Sequence, residues 1–465
     1  AAAPEWLQSQ VLPRRHNPTR DAASVLSDRS VRRLTPRELW RALVVGTVVN
    51  RRVGPGLLRR RTRTAAALAP RLHKAVLDLG PPFVKLSQLI ASSPGLFPAP
   101  IADELRVLLD AAPPERWPAI TAVIEAELGR PVGEVFANID PEPLAAASIA
   151  QVHAATLPNG DEVVVKVRRP GVERQFRTDL RLLRRIARMT GRLSRHARVV
   201  NPVAIVDNVV YSLREELDFV READSMERFE ANLRAFGDNK LIRVPHVYRD
   251  LTTPAVLTME RVWGTKVDDL PGLTATGYDL LERLRAGVRA WIEAACEHGF
   301  FHGDVHAGNL LVDTDGRVVF FDFGIMGELD HVTRDLVRRG VVALLHDLDF
   351  REVTRCLVEL GAHLGARVEL DRAAAAIQEL AEPELSKPIA EIDYQHLFVS
   401  AVRRAAPHGV QLPRSMVLLA KQVIYFERYA KLVAPDYQIL ADTYLIEFMT
   451  EPGGTTGGNG ARPRR

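Results

Sequence analysis

The most constraining feature of the chain is a polar loop set between apolar segments. It reads Phe301-His302-Gly303-Asp304-Val305-His306-Ala307-Gly308-Asn309, and the triplet Asp322-Phe323-Gly324 follows it. The residues between the two motifs predict a β-hairpin, with Leu310–Val312 and Val318–Phe321 as strands and a turn at 313–316. Asp304, Asn309 and Asp322 are therefore expected at strand ends, and their oxygen atoms suit a hard cation.

The spacing of these residues is typical of phosphoryl transfer. Asn309 follows Asp304 by five positions, as in the kinase catalytic loop H-R-D-L-x-x-x-N, and a D-F-G triplet comes next in both. Phosphoryl transfer depends on neutralising charge, so we predict Asp304 as the catalytic aspartate and Asn309 and Asp322 as Mg²⁺ ligands. Two other interpretations stay open: a metal site built from His302, Asp304 and His306, and a polar turn without chemistry.

Two upstream features extend the kinase interpretation. Lys166 ends the apolar run Val163-Val164-Val165, similar to the V-A-I-K strand, and Glu222 lies on a later helix, 56 residues on, as its predicted partner. The alternatives are that Lys166 is an exposed lysine at a strand end and that the segment around Glu222 is an acidic cluster on the surface. No glycine-rich phosphate loop precedes Lys166. In its place stands an alanine loop (Ala145, Ala146, Ala147, Ser148), which we expect to be stiffer but able to cap a nucleotide with backbone N–H groups.

Taken in order, these motifs resemble the UbiB/ABC1/ADCK family of atypical protein-kinase-like proteins. The segment Lys85-Leu86-Ser87-Gln88 is similar to that family's K-x-G-Q motif, with Ser87 in place of glycine. The resemblance implies an α+β, bilobal protein-kinase-like fold, with a small β-containing N-lobe, a mostly helical C-lobe and an N-terminal helical extension. It also implies that Lys85 and Gln88 fold over the site and that Lys85 contacts the acids Glu216 and Asp218.

The resemblance assigns further roles around ATP and Mg²⁺. It implies that Lys166 and Glu222 position the nucleotide, that Met259 is the gatekeeper, and that the backbone of Glu260 and Val262 faces adenine. The catalytic loop departs from the family sequence H-A-D-P-H-P-G-N, and its His-Gly-Asp is closer to the loop of aminoglycoside and choline kinases.

The chain is expected to divide into five parts. They are a basic N-terminal arm (1–64), a helical extension (65–143), an N-lobe with hinge (144–262), a C-lobe (263–450) and a disordered tail (451–465). The chain opens on Ala1 rather than Met, so its natural N-terminus is expected to be missing or processed.

Charge and cysteine content exclude several classes of protein. With 62 basic and 58 acidic side chains the net charge is only +4, which argues against a nucleic-acid partner. The two cysteines cannot form a disulfide framework or a typical zinc site. The eleven arginines between Arg29 and Arg63 indicate either a solvated, loosely held arm or attachment to an anionic lipid surface. With no membrane-spanning run, we expect a cytoplasmic protein, with contact to the inner face of the membrane left open.

The expected function is that of an ATP- and Mg²⁺-dependent atypical kinase or ATPase acting on water, a small molecule or a lipid. The resemblance implies a role in isoprenoid quinone biosynthesis or membrane lipid homeostasis, with a nucleotide and a lipid or quinone precursor as ligands. Two alternatives stay open. One is a phosphotransferase of the aminoglycoside or choline type, and the other is a nucleotide-binding scaffold without catalysis.

Overall fold

The computed structural model describes most of the chain as two compact units. The described residues are 35–58, 64–80, 82–84, 87, 99–106, 113–193, 206, 213, 216–236, 239–361, 370–385, 387–393, 396–397, 400, 414–438 and 442–450. The first unit comprises 1–220 and 250–258, and the second comprises 221–249 and 259–465. Lys85, Gln88, most of the basic arm and the tail 451–465 lie outside the described residues.

The helices and strands are numbered here in chain order. The helices are α1 (Pro36–Arg52), α2 (Gly54–Leu58), α3 (Ala65–Leu79), α4 (Ala99–Arg106), α5 (Trp117–Leu128), α6 (Val132–Val135), α7 (Val172–Leu193), α8 (Phe219–Phe236), α9 (Leu270–Ala275), α10 (Leu280–Cys296), α11 (His331–Val342), α12 (Phe350–Gly361), α13 (Leu370–Leu385), α14 (Arg414–Val433) and α15 (Glu447–Thr450). The strands are β1 (Asn138–Ala146), β2 (Ala150–Thr156), β3 (Glu162–Arg168), β4 (Ile242–Arg243), β5 (Val256–Glu260), β6 (Gly264–Lys266), β7 (Phe300–His302), β8 (Leu310–Asp313), β9 (Val318–Phe320) and β10 (Met326–Glu328).

The described part of the basic arm is a capped helix tied to the first unit. Thr35 and Glu38 form a capping box at the start of α1, and Pro36 occupies the first turn, where its missing N–H costs nothing. Arg41 then makes a bidentate ion pair with the fully buried Asp179 of α7, at 2.6 and 2.8 Å. The expectation of a loosely held arm is therefore wrong for this helix, because the buried Asp179 anchors Arg41.

The first unit contains a four-stranded sheet in the order β1-β2-β3-β5. β1, β2 and β3 are consecutive antiparallel strands, and Val163, Val165 and Val167 of β3 are fully buried. A turn at Ala147–Ile149 separates the end of β1 from β2. β1 also begins at Asn138, six residues before the predicted domain start. Small residues without a breaker concealed this turn.

The second unit contains two small sheets, helices α9–α15 and all but the first two residues of α8. One sheet has the order β4-β9-β8-β6, and the other pairs β7 with β10. The predicted hairpin is confirmed as β8 and β9, with Leu310 opposite Phe320 and Val312 opposite Val318. Helix α8, which contains Glu222, begins at Phe219 after a turn at Leu217 and Asp218. Among the described residues, no helix is long and apolar enough to span a membrane.

Candidate active site

The catalytic loop begins where β7 ends, and a buried histidine joins it to the segment after the hairpin. The Nδ1 atom of His302 accepts a hydrogen bond from the backbone N–H of Asp304 at 3.1 Å. Its Nε2 atom lies 2.9 Å from the carbonyl of Phe321, the residue before Asp322. His302 therefore connects the two acidic motifs through their backbones.

These two bonds fix the charge and tautomer of His302. A carbonyl accepts at Nε2 and an N–H donates to Nδ1, so the neutral ring carries its proton on Nε2. Burial lowers the pKa of His302, which agrees with a neutral ring. With both nitrogens engaged, His302 cannot bind a metal, so the alternative site of His302, Asp304 and His306 is wrong. Accordingly, no cluster of three or more ligating side chains occurs in the described residues.

The two candidate Mg²⁺ ligands emerge from the open end of one hairpin. Asn309 immediately precedes β8, and its carbonyl accepts the backbone N–H of Phe321 at 2.9 Å, which extends the β8–β9 ladder by one step. The Asn309 amide Nδ2 donates to the carbonyl of Asp304 at 2.9 Å. This bond fixes the orientation of the Asn309 amide and leaves its Oδ1 as the candidate ligand. Asn309 and Asp322 thus lie at the open end of the hairpin, and the Asn309 amide connects this end to Asp304.

Asp322 has an unusual backbone conformation. Its φ is +53°, in the left-handed region that side chains other than glycine seldom adopt. The next residue, Phe323, is buried, with its ring 5.4 Å from that of Phe229 and 5.0 Å from that of His302. Packing of Phe323 holds the backbone in this conformation, while the Asp322 side chain stays exposed. Strain of this kind is found where surrounding contacts enforce it, commonly at functional sites.

Helix α14 contributes two side chains to the catalytic loop. The Nζ atom of Lys421 lies 2.6 Å from Oδ1 of Asp304. Gln422, which is fully buried, donates to the carbonyl of Gly303 at 2.6 Å and accepts the N–H of Val305 at 2.7 Å. Sequence reasoning missed both residues, because they lie more than 110 positions from the loop in a helix without a motif. An adjacent Lys-Gln pair directly after the apolar run 416–420 was the available signal.

In the first unit the alanine loop is braced rather than open. Ala145 and Ala146 end β1, and Ser148 is buried in the turn that follows. The guanidinium of Arg169 donates to the carbonyl of Ala147 at 2.9 Å, and it also pairs with Glu115 at 3.0 Å. The expected stiffness therefore has a second cause besides the alanine Cβ atoms.

A hydrogen-bonded chain also joins the two strands flanking this loop. Gln151 accepts from the backbone N–H of Glu115 at 2.8 Å and donates to Nε2 of His153 at 2.8 Å. The Nδ1 atom of His153 lies 2.8 Å from the carbonyl of Asp140 in β1. Burial lowers the pKa of His153, so the ring is neutral and donates from Nδ1. Like Arg169, this network ties the loop to the segment before α5.

Lys166 and Glu222 belong to different compact units. Lys166 lies on β3 opposite Val152, and its ammonium lies 5.3 Å from the centre of the Phe219 ring. Glu222 is buried in the first turn of α8. Their ion pair stays a prediction.

The predicted hinge is at the end of β5. Met259 is buried, and the backbone N–H of Glu260 donates to the carbonyl of His246 at 2.8 Å. The Glu260 side chain pairs with Arg243, which also lies 3.3 Å from Asp313. The N–H of Glu260 is therefore occupied, and its carbonyl is the group that could face adenine. The role of Val262 stays a prediction.

The two acids assigned to the extension are both half-buried before α8. Asp218 accepts the backbone N–H of Val220 at 3.2 Å, which is a helix-capping contact. Glu216 precedes it by two residues. Because Lys85 and Gln88 lie outside the described residues, the predicted contact with Glu216 and Asp218 stays untested.

Comparison with known proteins agrees with these motifs. The model of the ABC1 atypical kinase-like domain matches residues 107–357. An uncharacterized protein of Mycobacterium tuberculosis, Rv0647c, is 42% identical over 384 residues, which is 82% of this chain and 78% of that protein. A probable protein kinase UbiB of Pseudomonas putida is 36% identical over 397 residues, covering 84% of this chain and 73% of its own.

A solved structure is also similar. It is the complex of Rv3197 with erythromycin from M. tuberculosis, with 24% identity and a TM-score of 0.49 over 76% of this chain and 91% of that one. The family-model match covers more than half of the present chain, and both relatives exceed 30% identity over most of its length. The chain has a bilobal, α+β kinase-like fold and belongs to the ABC1/UbiB family of atypical kinase-like proteins.

Proposed function

We propose that the chain binds ATP with Mg²⁺ and transfers or hydrolyses the γ-phosphoryl group. The observation that carries the proposal is the arrangement in the second unit: the Asp304 carboxylate, the Asn309 amide bonded to its carbonyl, and Asp322 at the open end of the same hairpin. The acceptor is water, a small molecule or a lipid. As the biological setting we propose isoprenoid quinone biosynthesis or membrane lipid homeostasis.

The proposed chemistry assigns one task to Asp304. The carboxylate accepts the proton of the acceptor hydroxyl as its oxygen forms a bond to the γ-phosphorus. The bond from the γ-phosphorus to the bridging oxygen breaks, and ADP leaves with that electron pair. Lys166, paired with Glu222, would orient the α- and β-phosphates, and the alanine loop would cap them with backbone N–H groups.

The donor set fits Mg²⁺. This cation prefers oxygen ligands and is commonly bound through one or two protein groups, with phosphate oxygens and water completing the shell. Asn309 Oδ1 and the exposed Asp322 carboxylate are such groups, and the Asn309 amide nitrogen is already bonded to the carbonyl of Asp304. When bound, Mg²⁺ would neutralise charge on the phosphates.

The experiment measures nucleotide binding and turnover separately. ATP with Mg²⁺ should raise the melting temperature, since a ligand that binds only the folded state stabilises it. Asp322→Asn should abolish the Mg²⁺-dependent part of this shift. The matched control is Asp315→Asn, which removes an exposed carboxylate at the opposite end of the same hairpin. An equal shift in wild type and Asp322→Asn would refute the metal assignment.

Turnover then separates the proposal from its alternatives. Phosphate release should be measured with and without lipid vesicles and quinone-precursor mimics, using Asp304→Asn as the inactive control. Turnover of a cationic alcohol in preference to these would favour an aminoglycoside- or choline-type phosphotransferase. Nucleotide binding without any turnover would favour a scaffold.

We also propose that α1 contacts an anionic membrane surface. One face of this helix exposes Leu39, Trp40 and Leu43, with Trp40 70% exposed, while the opposite face is held by the Arg41–Asp179 ion pair. The exposed Arg37 lies beside this face. Tryptophan and leucine next to arginine are typical of helices that lie in the membrane interface, where each cation near anionic lipid adds about 1 kcal/mol.

A further inference from the structure

Helix α14 holds the catalytic loop at three consecutive residues, Gly303, Asp304 and Val305. Gln422 binds the peptide groups on both sides of Asp304, namely the carbonyl of Gly303 and the N–H of Val305. Lys421, the preceding residue in the helix, binds the Asp304 side chain itself at 2.6 Å. A single turn of α14 therefore fixes both the backbone and the carboxylate of this residue.

The ion pair makes the two oxygens of the Asp304 carboxylate different. Oδ1 is bound by the Lys421 ammonium, whereas the ring nitrogen Nε2 of His306 lies 3.9 Å from Oδ2. The Asn309 amide also donates a hydrogen bond to the backbone carbonyl of Asp304, which fixes the backbone from which the Asp304 side chain extends. A carboxylate restrained in this way faces an acceptor in one orientation.

A contribution to folding stability does not explain the ion pair between Lys421 and Asp304. The side chains of Lys421 and Asp304 are 31% and 21% exposed, and ion pairs of that exposure add little to folding stability. Gln422 already fixes the loop backbone without Lys421. What the Lys421 ammonium adds is the orientation of a carboxylate and a fixed positive charge next to it, and both are properties that matter to phosphoryl transfer.

We propose that Lys421 is a positioning residue for phosphoryl transfer, which orients the Asp304 carboxylate toward the acceptor hydroxyl by binding Oδ1. The inference rests on the proposed function and adds to it a group that lies outside the matched family domain, which ends at residue 357. Gln422 supports the same arrangement by fixing the peptide groups on either side.

The experiment compares Lys421→Met and Lys421→Arg with Lys431→Met. Lys431 is the matched control, because it lies on the same helix and pairs with Glu427 at 2.7 Å, away from the loop. Lys421→Met should lower kcat roughly 10- to 100-fold with KM for ATP within about twofold of wild type, as expected when orientation is lost and binding is kept. Lys421→Arg should recover part of kcat, and Lys431→Met should behave as wild type.

Two outcomes would overturn the proposal. A kcat for Lys421→Met within about twofold of wild type would show that the ammonium does not orient Asp304. A faster variant would show that the pair blocks the carboxylate instead.

A separate measurement distinguishes this inference from the proposed function. The melting temperatures of wild type, Lys421→Met, Asp304→Asn and the double variant form a cycle that needs no turnover. Non-additive shifts would show that the ion pair exists in solution, and additive shifts would show that it does not. If the wild-type protein binds no ATP while the cycle is non-additive, the proposed function fails and the contact stands.

Discussion

Replacing Arg169 by methionine should destabilise the first unit by releasing the alanine loop. The Arg169 side chain is nearly buried and donates three hydrogen bonds, to the carbonyls of Ala147 and Pro113 and to the Glu115 carboxylate. Methionine keeps most of the aliphatic stem, so packing is largely preserved, but it donates none of these bonds.

The expected magnitude follows from those contacts. A hydrogen bond from a charged donor to a carbonyl contributes about 1.5 kcal/mol, and the half-exposed Glu115 pair adds about 0.5 kcal/mol. Burial lowers the pKa of Arg169, because its charged form loses water, and removal of the cation recovers part of that cost. We expect a net loss of roughly 2–3 kcal/mol in the free energy of unfolding. For a unit of this size that loss corresponds to a fall in melting temperature of roughly 4–12 °C.

The assay is differential scanning calorimetry on the whole chain, with Arg177→Met as the matched control. Arg177 is half exposed on α7 and pairs only one turn back with Glu173 at 2.5 Å, a contact that contributes about 0.3–0.5 kcal/mol. If the two variants melt within about 1 °C of each other, Arg169 does not brace the loop and the reasoning is refuted.

Three other changes test separate parts of the structure. Asp322→Gly should raise the melting temperature, because glycine adopts φ of +53° without strain worth about 1 kcal/mol, and it should abolish the Mg²⁺-dependent shift; a lower melting temperature would contradict the strain. Because burial depresses the pKa of His302, its neutral ring stabilises the fold above its ordinary pKa of about 6.5. This stability is lost as the pH falls through the depressed pKa of His302 in the folded state. The melting temperature of wild type should therefore exceed that of His302→Asn by less at about pH 5 than at about pH 8. A difference that does not change with pH would contradict this reasoning. Trp40→Ala should weaken sedimentation with anionic vesicles several-fold, whereas Trp263→Ala, another exposed tryptophan, should not; equal binding by both variants would exclude α1 as the contact.

The β8–β9 hairpin and its flanking motifs were predictable because their signals are local. The turn after Asp313 and the β-branched residues around it specify two strands, and Asn309 and Asp322 occupy the ends of those strands whatever the rest of the chain does. The start of α3 was predictable for the same reason, since Thr64 caps it from the adjacent position.

The turn after β1 was not predictable from local pattern. Ala147 is small, Ile149 is buried in the core of the first unit, and Ser148 is the one residue of a type that usually marks a turn. What stabilises the turn is distant in sequence: Arg169 binds the carbonyl of Ala147, and the backbone N–H of Arg169 binds the carbonyl of Ile149. A contact between residues some twenty positions apart produces no periodic pattern in the local sequence from which the turn could be predicted.

The same argument explains why motif analysis described only part of the candidate site. Asp304, Asn309 and Asp322 are recognised because chemistry requires those residue types at fixed spacing. Lys421 and Gln422 act on backbone groups and on one oxygen of a carboxylate, and any helix that reaches the loop could supply such contacts from any position in the chain. The position of the candidate catalytic carboxylate is therefore set partly by residues that no spacing rule identifies. In this chain those residues are found by following the hydrogen bonds that leave the motif.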